Sequence, residues 1–220
     1  MNNALKTAGG VLVGVIGYFA VKTLLLPAAD PGGVTSPEFD QAFMEEVSEN
    51  GINADAGRQI LDATKAMVED EQRVASLEDA YRDVNGKTTK EVRLHLNANP
   101  EQKARVGYAL VETIQQGMAL PVQLDEVTAI TGLHYSEAAE SVVYHYTISD
   151  AALAQFNGDY TDLQLALEQL NPDATCKLSL QLLGQGFDMT YSYRNSDGEE
   201  LFTVVRTHED CVRMGYNEFA

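Results

Sequence analysis

Histidines, cysteines and neighbouring carboxylates are the groups through which a chain most often transfers protons, attacks substrates or holds metal ions. This chain has four His and two Cys. His134 and His145 lie on two neighbouring segments that alternate in polarity, and a hairpin between them would bring the two rings near each other. Such a pair suits metal binding or pH sensing, whereas a hydrogen-bonded or surface histidine is the plainer reading; strand register decides between them. His208-Glu209-Asp210 joins a base to two carboxylates. Consecutive residues on a strand point to opposite faces, so these three read as a solvated strand end. His95 reads as a surface residue, and Glu69-Asp70-Glu71 and Glu199-Glu200 as solvated charge runs.

No G-x-S-x-G, H-E-x-x-H, P-loop, dinucleotide fingerprint or EF-hand loop occurs in the chain. Gly184-x-Gly186 reads as a helix-to-strand turn. No catalytic, cofactor-binding or metal-ligating residue is therefore assigned, and the chain reads as non-enzymatic. Cys176 and Cys211 lack further soft ligands at zinc-like spacing. In an oxidising compartment, two cysteines at opposite ends of one module favour a disulfide. In a reducing one they would be buried thiols.

Tyrosine is the other conspicuous type. Tyr144, Tyr146, Tyr191 and Tyr193 occur as two Y-x-Y pairs. Tyrosine is favoured both in strands and at binding surfaces. Sheet packing accounts for most of the set, and a tyrosine-lined face contacting a partner is the functional expectation.

The elements that carry these residues follow from periodicity. From Leu120 the apolar period is two. A strand runs through Val127, Ala129, Thr131, Leu133 and Tyr135, then a turn over Ser136 to Glu140, then a strand over Val142 to Ile148. Tyr144, Tyr146 and Ile148 share one face of it, and Val143, His145 and Thr147 the other. Asp150 to Leu170 reads as helix, broken at Asn157-Gly158, followed by a short helix over about Ala174 to Leu183. Strands Phe187–Arg194 and Leu201–His208 flank Asn195-Ser196-Asp197-Gly198, a hairpin signal. The order is β-β-α-α-β-β. The expected fold class is α+β, with a four-stranded antiparallel sheet over 120–220 and helices on one face.

Residues 37–119 read as a helical region. Pro37 suits a first turn after Thr35 or Ser36, and Phe39, Phe43 and Val47 recur every four. A longer helix spans about Ala54 to Val84, with Ile60, Met67, Val74 and Tyr81 spaced by seven and Asn85-Gly86 as its stop. Asp70 falls on the core side of that pattern, so an amphipathic packing helix is preferred over a coiled coil. Val92, Leu94 and Leu96 fit a strand or a helical turn equally. Pro100 begins a further helix with Val106, Leu110 and Ile114 on one stripe.

Ahead of these lies an apolar run, Ala8 to Leu26, broken only by Lys22. Its 19 residues would span roughly 28 Å as a helix, near bilayer thickness. A transmembrane anchor over 8–26 is expected, with a tip at 1–7 and a linker at 27–36; a cleaved signal peptide and a buried helix are the alternatives. Gly10, Gly14 and Gly17 line one face of that helix and would permit close helix–helix contact in lipid.

Charge divides in the same way. The net charge is −18 over 220 residues. Residues 1–29 carry +2, 30–119 carry −8 from 17 acids and 9 bases, and 120–220 carry −12 from 16 acids and 4 bases. Basic residues stay cytoplasmic, so the tip is expected inside and the acidic bulk in the periplasm of a bacterium. Acidic excess disfavours nucleic acid and suits partners with basic or neutral surfaces.

The C-terminal order of Tyr144 and Tyr146, then Cys176, then L-L-x-x-G over Leu182 to Gly186, then Tyr191 and Tyr193, Asp197-Gly198 and Cys211 resembles small exported α+β modules of bacterial envelope proteins. The resemblance covers about the last hundred residues and implies a fold and a compartment, with no catalytic motif. The expected function is that of a membrane-anchored, periplasmic accessory protein that engages another envelope protein. An exported module binding a small ligand or peptide, and a hydrolase built on His134, His145 or His208, are the alternatives. Homo-oligomerisation stays open.

Overall fold

The computed structural model describes residues 37–49, 53–69, 75, 77, 79–169, 176 and 182–216. The expected tip, the anchor over 8–26 with Gly10, Gly14 and Gly17, and the linker lie outside the described residues. Among those described, no helix is long and apolar enough to cross a membrane.

Helices come first. Helix α1 (Pro37–Glu49) begins at the expected proline and buries Phe43 and Val47. Helix α2 (Ala54–Glu69) follows and packs on α1. Residues 79 and 80 are again helical, and a 3-10 turn over Arg82–Val84 leads to Asn85-Gly86 where the stop was expected. Ile60 and Tyr81, the outer members of the expected row, are both buried. Tyr81 donates from its hydroxyl to Gln185 Oε1 at 2.7 Å, tying this region to the turn before the fourth strand.

The undecided stretch around Val92 is helix α3 (Thr89–Ala98). Its start is a capping box: Thr88 Oγ1 accepts from the Glu91 amide, and the Glu91 carboxylate accepts from the Thr88 amide. Val92 and Leu96 turn inward at i, i+4, whereas Leu94 is exposed. The T-x-x-E pattern is the signal that separates helix from strand here. Helix α4 (Pro100–Gly117) carries Val106, Leu110 and Ile114 on its buried stripe, as expected.

The sheet has five strands in the order β1-β2-β3-β4-β5. They are β1 (Val122–Gln123), β2 (Thr128–Ser136), β3 (Ser141–Ile148), β4 (Asp188–Arg194) and β5 (Glu200–Arg206). The expected four-stranded antiparallel sheet is corrected on two points. β1 adds a fifth strand, too short to leave a period in the sequence. β3 and β4 pair in parallel, so the sheet is mixed. The chain between them passes through α5 (Asp150–Leu153), a 3-10 turn and α6 (Thr161–Gln169). A helical crossover returns the chain to the end where β3 began, and a strand that starts there runs parallel to β3. The break expected at Asn157-Gly158 is present, with both residues at positive φ.

β5 ends at Arg206 rather than His208. Thr207 caps helix α7 (His208–Arg213) in a second capping box with Asp210. The reading of His208-Glu209-Asp210 as a strand end is therefore corrected: the three residues open a helix. Cys176 and Cys211 form a disulfide with Cα atoms 5.5 Å apart, both buried.

α4 lies across β2. Gly107 permits that approach, because a Cβ there would stand 2.5 Å from the ring of buried Tyr135. The core between sheet and helices holds Leu110, Ile114, Tyr135, Tyr144, Tyr146, Tyr191, Tyr193, Phe187 and Phe202 in one cluster.

Candidate functional site

The sheet has two unlike faces. Val142, Tyr144, Tyr146 and Ile148 of β3, with Met189, Tyr191 and Tyr193 of β4, all point into the core. Register sets Tyr144 against Tyr191 and Tyr146 against Tyr193, with Phe202 beside Tyr193. The Tyr146–Tyr193 and Tyr193–Phe202 ring centres are 5.1 and 4.9 Å apart. The four tyrosines of the expected interaction surface are 0 to 2% exposed. That expectation is corrected: they form an internal aromatic stack, and burial pushes the Tyr144, Tyr146 and Tyr193 hydroxyls above the ordinary range. Period-two alternation places the tyrosines on one face without saying which face the helices cover.

The opposite face carries Thr131 and His134 of β2, Val143, His145 and Thr147 of β3, Thr190, Ser192 and Arg194 of β4, and Thr203 and Val205 of β5. Pairing sets Gly132, His145, Ser192 and Thr203 in one row across the sheet. A second row is His134, Val143, Thr190 and Val205. Hydrogen bonds bind the rows together. Thr131 Oγ1 meets Thr147 Oγ1 at 3.2 Å, and Ser141 Oγ meets Thr190 Oγ1 at 2.7 Å. Ser192 Oγ donates to Glu200 Oε2 at 2.8 Å and accepts from Arg194 Nε at 3.2 Å. Glu200, expected as part of a solvated run, is thus anchored to the sheet.

His134 and His145 are brought together. His134 Nδ1 lies 2.9 Å from His145 Nε2. The ring centres are 4.9 Å apart with planes 17° from parallel. With the nitrogens that much closer than the centres, the rings meet edge to edge through an N–H···N bond. The backbone of β2 sets this contact. The β2 register shifts between Ile130 and Gly132, so Ile130, Leu133 and Tyr135 face the core rather than the evenly alternating set expected from Val127 onward. Gly132 pairs with His145, and a Cβ there would stand 3.4 Å from His145 Cδ2, an ordinary contact distance. The His145 ring lies beside the glycine and reaches diagonally to His134.

Burial, the Arg194 guanidinium and His134 push His145 down to about 4, with Glu200 opposing. His145 Nδ1 is buried and has no hydrogen-bond partner among the described residues. His208 lies elsewhere: its Nε2 is 2.6 Å from Arg93 Nη1, which also donates to Gly184 O. His95 is half-buried and bonds Gln102 Oε1 at 2.8 Å. Of the three histidines of the hydrolase alternative, His134 and His145 lie together and His208 lies apart beside Arg93.

Sequence reading passed over Lys103, which is 3% exposed. It is ion-paired with Glu140, bonded to Asn97 Oδ1 at 2.9 Å, and set 5.9 Å from the Phe187 ring centre. This polar cluster joins α3, α4 and the β2–β3 turn. The N-terminal end of α4 also borders two open depressions, of about 460 and 710 Å³. Pro100, Glu101 and Arg105 line both. Neither includes the histidine pair.

No family model matches the chain, and no curated protein matches it. Two solved structures are similar to it. One is a candidate secreted protein from Pseudomonas aeruginosa, 16% identical, with 57% of this chain and 99% of that chain covered and a TM-score of 0.35. The other is the pilotin of the Vibrio vulnificus type 2 secretion system, 17% identical, with 55% and 96% covered and a TM-score of 0.35. At that TM-score the likeness carries no weight for fold or function.

Proposed function

We propose that the protein is a non-catalytic accessory module of the bacterial cell envelope, anchored by residues 8–26 and engaging another envelope protein through the open face of its sheet. The observation that carries this reading is the asymmetry of the sheet. Helices α2, α4 and α6 pack on its other side or edges, and the tyrosines are spent on that core. The open face keeps threonines, the histidine pair and Val205, the last 46% exposed. A sheet face of mixed apolar and hydroxyl side chains suits a protein surface better than a small molecule, which needs an enclosing cavity. The buried disulfide supports export, because such bonds persist in oxidising compartments. The charge of −18 favours a partner with a basic or neutral surface.

The test is photo-crosslinking in intact membranes from a reactive residue placed at Val205 or Thr203, with one at Leu94 on α3 for comparison. The same neighbour captured from both sheet positions and not from α3 is the expected result. Crosslinks confined to α3, or none from the sheet, overturn the reading.

A further inference from the structure

The histidine pair has an attribute that partner docking does not require. Two imidazole nitrogens, on different strands, point at one another from a rigid sheet. We propose that His134 Nδ1 and His145 Nε2 form a two-imidazole site for a borderline divalent cation of the zinc or copper(II) class, open to solvent on the sheet face.

The donor set selects the class. Imidazole nitrogens suit zinc, copper and nickel, whereas magnesium and calcium require oxygen ligands. The spacing fits as well. Metal–nitrogen bonds of about 2.0 to 2.1 Å at a tetrahedral angle place two ligand nitrogens about 3.3 Å apart. The two atoms are 2.9 Å apart, so binding requires the nitrogens to part by a few tenths of an ångström and each ring to turn its lone pair from the other nitrogen toward the metal. Exposed His134 has room to swing, and His145 is seated over Gly132.

The hydrogen now held between the rings moves to an outer nitrogen, Nε2 of His134 or Nδ1 of His145. Each ring then stays neutral and coordinates through a lone pair. Among the described residues no group of three or more His, Cys, Asp or Glu converges, so water completes the coordination shell. Such an open site can accept a further ligand, which a closed structural zinc site cannot.

The experiment is isothermal titration of the full-length protein, in mild detergent, with zinc chloride and separately with copper(II) chloride. His134→Gln, His145→Gln and His95→Gln are run alongside. One equivalent binds the native chain. His134→Gln and His145→Gln each weaken binding about a hundredfold, because one imidazole loses the advantage of the second. His95→Gln leaves binding unchanged. His134 is exposed, so its variant keeps the fold, and tyrosine near-ultraviolet dichroism confirms this. Absence of saturable binding by the native chain, or native-like affinity in His134→Gln, overturns the proposal. A loss confined to His95→Gln does so too.

Discussion

His145 is the residue at which local chemistry is most altered by the fold. Its imidazole sits over Gly132, bonds His134 and lies in the field of Arg194, and its proton affinity drops accordingly to about 4 from 6.5. The unfolded chain takes up that proton near the ordinary value, the folded chain only near the lowered one. Between the two, the unfolded state binds more protons, so this residue lowers stability as pH falls from 6.5 to about 4. His145→Gln should therefore lose less stability than the native chain over that window, measured as denaturant midpoints in chelator. Parallel losses in both proteins would contradict the assignment. The two histidines and their neighbouring strands are legible in the sequence, but their contact is not. It depends on the β2 irregularity beside Gly132, and a shift of one residue sends a side chain to the opposite face.

Helix α7 is tied to the rest of the protein by the disulfide at Cys211 and by His208, whose Nε2 lies 2.6 Å from Arg93 Nη1. Its six residues bury one side chain, Cys211, and that side chain is the one in the disulfide. The capping box at Thr207 organises the first turn but does not attach the helix to the body of the protein. Opening the bond removes the covalent tie between α7 and Cys176. The Cys176→Ser/Cys211→Ser double variant should lose about 2 to 4 kcal/mol by denaturant titration. Its amide protection should fall first over residues 208–213. Unchanged protection there would show that α7 is held by contacts other than the disulfide. Sequence placed both cysteines at the ends of one module, whereas their bonding required the crossover to bring residue 176 beside α7. Helix starts were more legible. Pro37 and Pro100 open α1 and α4, and the T-x-x-E run at Thr88 separates α3 from a strand although alternation alone does not.

Across the whole molecule the dominant quantity is charge. A net of −18 repels itself in the compact state, and salt relieves that repulsion. The melting temperature should rise between about 0.01 and 0.5 M sodium chloride, over which the screening length shrinks several-fold. A flat or falling profile would mean that ion pairs such as Lys103–Glu140 and Lys65–Asp40 outweigh the general repulsion. The same charge keeps the open face from attracting acidic surfaces, and it limits self-association through the β5 edge. That edge is further guarded by α6: Gln164 Nε2 donates to Thr203 O at 3.5 Å, and Arg206 reaches Glu168 O.

Local pattern was enough to establish the α+β class, the helical middle, both hairpins and the division of charge. Each follows from side-chain period, capping or turn chemistry within a few residues. Tertiary structure alone decided three things. It joined β3 to β4 in parallel, because the path of a helical crossover is a property of packing and not of any one segment. It put Tyr144, Tyr146, Tyr191 and Tyr193 inside, because alternation defines two faces and the helices choose between them. It set His134 against His145, because that contact requires the pairing register and the irregularity in β2 together.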